Sequence, residues 1–123
     1  MIPRVTRRAM EQLGVECPPL RFECQNAVPP RRGLGASSSA IVAGYAAGLA
    51  FGGKRLTSPE TKKLLFGLAA AEESDAKRMR HARIAPAIYG GFQISFPKED
   101  TQWITQRVSV PPGLQMALFV NYL

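Results

Sequence analysis

The residues with the clearest chemical use lie in one stretch, PPRRGLGASSSA, at positions 29–40. Two glycines and three serines precede a run of small apolar residues that is typical of a buried helix. The first turn of a helix presents backbone N–H groups without intrahelical partners at the positive end of the helix dipole. Glycine lets an anion approach this backbone closely, and serine hydroxyls can cap the helix, bind phosphate oxygens or ligate Mg²⁺. The stretch therefore predicts an anion site suited to phosphate.

The same residue types also fit a purely structural interpretation. Glycine and serine are common where a turn leads into a helix, so GLGASSS at 33–39 can be a turn followed by an N-cap. The stretch lacks the Lys-Ser/Thr pair that ends a P-loop, and it lacks the GxGxxG spacing of dinucleotide-binding loops. The residue types alone leave both interpretations open.

The chain is basic, with a formal net charge of +7 over 123 residues. The positive charge concentrates in residues 1–32 and in KRMRHAR at 77–83, which favours an anionic partner: nucleotide phosphate, nucleic acid or an acidic membrane surface. Each cluster taken alone also fits a solvated surface. Aromatic residues make up 8% of the chain and do not alternate with the basic ones, which disfavours base stacking. A non-catalytic module that binds nucleotide or nucleic acid through KRMRHAR is the alternative from a different functional class.

Length and composition limit the chain to one folded domain. At 123 residues, with 46% hydrophobic and 20% charged residues, it can bury one modest core. Residues 40–53 form the longest apolar run, but such a helix is about 21 Å long, short of the ~30 Å hydrocarbon core of a bilayer. No apolar signal-peptide segment is present, and the two cysteines lack metal-site spacing. We expect Cys24, which alternates with Leu20 and Phe22, to be a reduced core thiol in a cytoplasmic protein.

The elements that position the glycine stretch follow from periodicity and from helix start and stop signals. Ser58 as N-cap and Pro59 at the first helical position mark one helix start. Gly44 and Gly48 lie inside the helix that follows the stretch, so we expect this helix to be central and to pack closely against a neighbour. The order of elements indicates an α+β layered fold. The predicted helices are 4–13, 37–51 and 57–73, and the predicted strands are 20–25, 90–96, 103–110 and 114–123. The polar turn PKED at 97–100 is predicted to join the strands at 90–96 and 103–110 tightly, as a hairpin.

Two stretches resemble a known family. NAVPPRRGLGASSSAIVAG at 26–44 is similar to the phosphate loop of the GHMP kinases, and Arg32 within it resembles the homoserine kinases of that superfamily. APAIYGGF at 85–92 is similar to a second homoserine kinase segment, at a suitable distance along the chain. The resemblance implies the layered fold of a GHMP kinase N-terminal domain, which is like domain 2 of ribosomal protein S5. It also implies ATP and Mg²⁺ as cofactors and ATP-dependent phosphorylation of the hydroxyl of L-homoserine to O-phospho-L-homoserine, in threonine biosynthesis. Neither nucleic acid nor a membrane is expected as a partner, and the resemblance allows a homodimer.

The resemblance also carries roles to individual residues. Ser37 matches a serine used near Mg²⁺, whereas Ala36 replaces a serine, so one oxygen contact is lost. Glu72 or Glu73 matches an acidic residue supplied to the metal; we assign Glu73 to the metal together with Ser37, and Glu73 and His81 to catalysis. The residues assigned to the nucleotide are Pro30, Arg31, Arg32, Gly33, Leu34, Gly35, Ala36, Ser37, Ser38 and Ser39.

One departure from the family pattern bears on activity. Where homoserine kinases have His-x-Asp-Asn before the Ala-Pro segment, this chain has His81, Ala82, Arg83 and Ile84, so an arginine stands where a carboxylate is expected. We therefore expect weak or absent catalysis by the chain alone. We assign 1–97 to a partial N-terminal ATP-binding domain and 98–123 to strands that lead to a C-terminal domain outside the chain, which makes the chain a fragment or shortened form. Another GHMP kinase with a mevalonate-type acceptor is the alternative enzyme.

Overall fold

The computed structural model of the chain describes residues 1–72, 80–98 and 103–121, without the side chains of Arg80 and His81. Within these residues the chain forms four helices followed by a two-stranded antiparallel sheet, which confirms the predicted α+β content. The elements are α1 (Ile2–Gln12), α2 (Ala36–Phe51), α3 (Pro59–Glu72), α4 (Arg80–Tyr89), β1 (Phe92–Pro97) and β2 (Trp103–Val108).

Helix α2 is central, as predicted, because α1, α3 and α4 all pack against it. Apolar side chains of all four helices form one core, in which Leu49 of α2 and Ile84 of α4 are fully buried. The sequence of α2 is apolar all round, but the helix is buried on one side only: Ile41, Val42, Tyr45 and Leu49 belong to the core, whereas Ala43, Ala47, Ala50 and Phe51 are exposed. The buried core residues are Val5, Ala9, Ile41, Val42, Tyr45, Leu49, Leu65, Ala69, Ala70 and Ile84.

The two glycines inside α2 are the points where α1 approaches it most closely, which confirms the expected packing role. A Cβ at Gly44 would collide with the side chain of Val5 and would lie 3.1 Å from the carbonyl oxygen of Ile2. A Cβ at Gly48 would collide with the carbonyl oxygen of Thr6 and would lie 2.6 Å from the Cβ of Ala9. The same interface holds the Thr6 hydroxyl, whose oxygen is 2.9 Å from the Gly44 carbonyl oxygen. The backbones of α1 and α2 are therefore in direct contact.

The start of α3 and the hairpin agree with the sequence prediction. The backbone N–H of Thr61 donates a hydrogen bond of 3.2 Å to Ser58 Oγ, so Ser58 caps the helix and Pro59 begins it. Strands β1 and β2 pair in register from Phe92 opposite Val108 to Pro97 opposite Trp103. The predicted PKED turn falls partly on residues 99–102, which lie outside the described residues.

Two predicted strands are wrong. Residues 20–25 form no strand, and Cys24, although a free thiol, is exposed rather than part of the core. Residues 114–121 also form no strand, and large side chains there are exposed, with Phe119 at 98%. Both segments have strand-like sequences, but no described strand pairs with either of them, and a strand forms only with a partner edge.

Helix α4 was missed by sequence analysis because Pro86 lies inside it. Proline removes a backbone donor from a helix interior and is read as a helix breaker.

The hairpin strands lie on either side of the domain boundary that we placed between residues 97 and 98, and that boundary stays a prediction. In the described part of the chain, no helix combines the length and the apolar character needed to cross a bilayer.

Candidate functional site

The glycine loop, residues 30–35, turns sharply before α2. Gly33 and Gly35 have φ angles of +74° and +81°, which favour glycine. Arg31 shares this left-handed conformation, with φ +58°, which is uncommon for a residue with a side chain. A Cβ added at Gly33 or Gly35 would meet no atom within 4 Å. The two glycines therefore adopt the backbone angles that the turn of the loop requires, and the space beside them is open.

The N-terminus of α2 is capped by glycine rather than by a side chain. Gly35 is the N-cap residue and makes no side-chain capping hydrogen bond, since it has no side chain. Its carbonyl oxygen accepts hydrogen bonds of 2.9 Å from both the backbone N–H and the hydroxyl of Ser39. No capping side chain thus covers the positive end of the α2 dipole, which is the condition for an anion to bind there.

This helix terminus opens into a cavity of about 400 Å³. The loop and the first turn of α2 form one part of its lining, and Met1, Ile41 and ionic side chains from three other helices complete it. Those side chains are Arg4 of α1, Glu72 of α3 and Arg83 of α4. The lining residues from the loop region are Pro29, Arg31, Arg32, Gly33, Leu34, Gly35, Ala36, Ser37 and Ser38.

Glu72 is the centre of a hydrogen-bonded network at the edge of this cavity. Its carboxylate is 4% exposed and forms ion pairs with Arg4 and Arg8 of α1. The hydroxyl of Tyr45 donates a hydrogen bond of 2.9 Å to Glu72 Oε2. Burial opposes ionisation of Glu72, but the hydrogen bonds from Tyr45, Arg8 and Arg4 outweigh it and lower the pKa of the carboxyl. The network joins α1, α2 and α3 where they meet the cavity.

Replacing Glu72 by glutamine should lower the free energy of unfolding by about 1–2 kcal/mol at pH 7, because the two half-exposed guanidinium groups lose their charged partner. Since the folded-state pKa of Glu72 lies below its ordinary value of 4.5, this contribution is complete above that pH. It is lost as the pH falls through the folded-state pKa. Urea unfolding of both proteins at pH 7 and pH 3 measures the difference, which should shrink at the lower pH.

Glu23→Gln is the control for the Glu72 variant, because Glu23 forms an exposed ion pair with Arg21, at 75% and 87% side-chain exposure. Exposed pairs contribute little, so this variant should unfold like the parent at both pH values. A loss in the Glu72 variant that is equally large at pH 3 would contradict the ionic origin of the effect.

The sequence-predicted site residues divide into three groups. Most of the glycine loop residues and Ser37 and Ser38 line the cavity, although Ser38 is 3% exposed. Pro30 and Ser39 do not line it: Ser39 faces a separate apolar groove beside residues 22–26 and bonds to Gly35. Glu73 and the side chain of His81 lie outside the described residues. Arg4 was missed, since nothing in its local sequence links α1 to the loop.

The described residues offer few ligands for Mg²⁺. They contain no group of three or more His, Cys, Asp or Glu side chains that could hold a metal ion. Glu72, the carboxylate among the described lining residues, is already bound by Arg4, Arg8 and Tyr45. The exposed Ser37 hydroxyl alone does not make a magnesium site, which normally includes one or two carboxylates. Among the described lining residues, groups suited to a phosphate chain therefore outnumber groups suited to a cation.

Comparison with known proteins gives one family and one group of relatives. Residues 1–91 match the family described as "GHMP kinases N terminal domain". The chain is 32% identical over 113 residues to a homoserine kinase of Thermus thermophilus, covering 86% of this chain and 36% of that protein. It is 38% identical over 101 residues to a homoserine kinase of Aliarcobacter butzleri, covering 81% and 31% respectively. A homoserine kinase of Deinococcus radiodurans is 30% identical over 118 residues, covering 95% and 35%.

The chain thus spans about a third of the length of these curated relatives. No solved structure matches it.

Proposed function

The chain belongs to the GHMP kinase family. We propose that it binds the polyphosphate of ATP at the glycine loop and that it takes part in phosphoryl transfer from ATP to the hydroxyl of L-homoserine. The product is O-phospho-L-homoserine, an intermediate of threonine biosynthesis. The four helices and the hairpin belong, in this proposal, to the layered fold shared with domain 2 of ribosomal protein S5. The free thiols of Cys17 and Cys24 support a reducing, cytoplasmic location.

The observation that carries the proposal is the cavity at the N-terminus of α2. A phosphate there would meet first-turn backbone N–H groups at the positive end of a 16-residue helix. The open space beside Gly33 and Gly35 allows phosphate oxygens to approach the backbone. The guanidinium groups that line the cavity add positive charge around the same volume.

The chemistry that the described residues supply is positioning and charge stabilisation. In the transfer, the hydroxyl oxygen of homoserine forms a bond to the γ-phosphorus, the bond from that phosphorus to the β–γ bridging oxygen breaks, ADP leaves and the hydroxyl proton is released. Backbone N–H groups and guanidinium groups aimed at the phosphates stabilise the charge that develops on the γ-phosphoryl and on the leaving ADP. The catalytic roles of Glu73 and His81 and the metal roles of Ser37 and Glu73 stay predictions.

The proposal is tested by the purified chain with γ-labelled ATP and a panel of acceptors. We expect ATP to bind and L-homoserine to be phosphorylated slowly, because Arg83 stands where the homoserine kinase pattern has a carboxylate. Mevalonate should not be phosphorylated. Phosphorylation of mevalonate but not homoserine would contradict the acceptor, and failure to bind ATP would contradict the kinase proposal itself.

A further inference from the structure

Among the described residues that line the cavity at the glycine loop, positively charged side chains outnumber negatively charged ones. Four arginines line it, Arg4, Arg31, Arg32 and Arg83, against one carboxylate among the described lining residues, Glu72. Arg4 is paired with Glu72. Arg31, Arg32 and Arg83 form no ion pair with any residue that the structure describes. Three uncompensated guanidinium groups around one cavity point to a ligand with several negative charges.

These arginines come from separate elements, so their convergence is a property of the fold. Arg31 and Arg32 belong to the glycine loop, whereas Arg83 belongs to α4. Beside Arg83 in α4, Ile84 and Ala85 are fully buried, which fixes that part of the helix to the core. Arg83 itself is exposed and lines the cavity. The guanidinium group is therefore presented by a packed helix rather than by a free segment.

We infer that the cavity holds the triphosphate chain of its nucleotide by direct guanidinium contacts, with Arg83 as the contact from α4, so that binding does not require a divalent cation. This inference rests on the proposed function, since it concerns the same nucleotide. Arginine is suited to the role because its planar group donates two parallel hydrogen bonds to phosphate oxygens and remains charged at every accessible pH. A divalent cation normally bridges and neutralises the phosphates. Here fixed positive charges perform that neutralisation, and they repel a cation.

Glu72, the carboxylate among the described lining residues, is already occupied by partners from the protein. Glu72 accepts from Arg4, Arg8 and Tyr45, and its lowered pKa reflects those partners. A metal ion at Glu72 would have to displace two guanidinium groups from a carboxylate that is 4% exposed. Among the described residues the cavity thus has anion contacts in excess and no free carboxylate.

The test is calorimetric titration of the 123-residue chain with ATP and with inorganic tripolyphosphate, in EDTA and in MgCl₂ at equal ionic strength. We expect the dissociation constant for ATP to agree within about threefold between the two conditions, a difference of less than 1 kcal/mol. Tripolyphosphate should compete with ATP, and AMP should not. ATP binding in MgCl₂ that is lost in EDTA would overturn this inference while the proposed function stands. No ATP binding in either condition would overturn the proposed function itself.

The role of Arg83 is tested by Arg83→Glu against the matched control Arg55→Glu. Arg55 is exposed between α2 and α3 and does not line the cavity, so both variants change the net charge equally. In EDTA, Arg83→Glu should weaken ATP binding about 10- to 100-fold, while Arg55→Glu should change it less than about twofold. Arg83→Lys should recover part of the loss. Circular dichroism of each variant confirms folding. Equal weakening by both charge reversals would show that Arg83 acts only through net charge, which would overturn its assignment.

Discussion

Replacing Gly35 by aspartate should reduce ATP affinity at least about 100-fold, because the new carboxylate would enter the space where the phosphates approach the N-terminus of α2. The backbone at Gly35 lies at φ +81° and an added Cβ meets nothing within 4 Å. The side chain is thus accommodated without a clash and projects into open space. Calorimetric titration with ATP measures the loss, and circular dichroism confirms that the fold is retained.

Gly53→Asp is the matched control for this substitution. Gly53 follows α2, also has φ +81° and also has no atom within 4 Å of an added Cβ, but it does not line the cavity. Both variants therefore carry the same backbone strain and the same added charge. We expect the Gly53 variant to bind ATP like the parent. Normal ATP binding by the Gly35 variant would show that the nucleotide does not bind at this loop, and the kinase proposal would lose its main support.

Replacing Gly48 by alanine should lower the free energy of unfolding by about 3 kcal/mol, although alanine is the better helix former. The added methyl group would collide with the carbonyl oxygen of Thr6 and lie 2.6 Å from the Cβ of Ala9. A backbone carbonyl cannot turn aside as a flexible side chain can, so α1 must move away from α2. The midpoint of urea unfolding measures the effect.

Gly67→Ala isolates the steric part of that effect. Gly67 lies inside α3, where an added Cβ meets nothing within 4 Å. The same substitution there should raise stability by about 0.5–1 kcal/mol through helix propensity alone. The difference between the two variants then measures the contact between α1 and α2. Similar behaviour of the two variants would contradict the close approach of the helix backbones.

Local signals in the sequence predicted the elements that depend on local interactions. The start of α3 was found because Ser58 and Pro59 act within one helical turn. The hairpin was found because its strands are adjacent in the chain and pair with each other. The segment at 20–25 was wrongly predicted as a strand because pairing depends on a distant edge that its own residues do not encode. Helix α4 was missed because packing of Ile84 and Ala85 overrides the helix-breaking tendency of Pro86.

In the candidate site, too, the features set by neighbouring residues were predictable and those set by distant contacts were not. The glycine loop was recognisable because glycines, serines and a following helix are consecutive in the sequence. The partners of Glu72 were not predictable, because Arg8 is 64 residues away in sequence and Tyr45 is 27 residues away. Arg83 was noticed as a charge reversal, but only the packing of α4 places it at the cavity. The residues of a site that several helices build together are known only once the packing of those helices is known.

The exposed apolar run near residues 114–119 has a practical consequence for work with this protein. Met116 and Phe119 are 81% and 98% exposed, so their hydrocarbon remains in contact with water after the helices have packed. An exposed apolar segment of this kind promotes association between copies of the chain. We therefore expect this run to limit the concentration at which the protein stays monodisperse. Mild detergent, which covers exposed hydrocarbon, should raise that concentration.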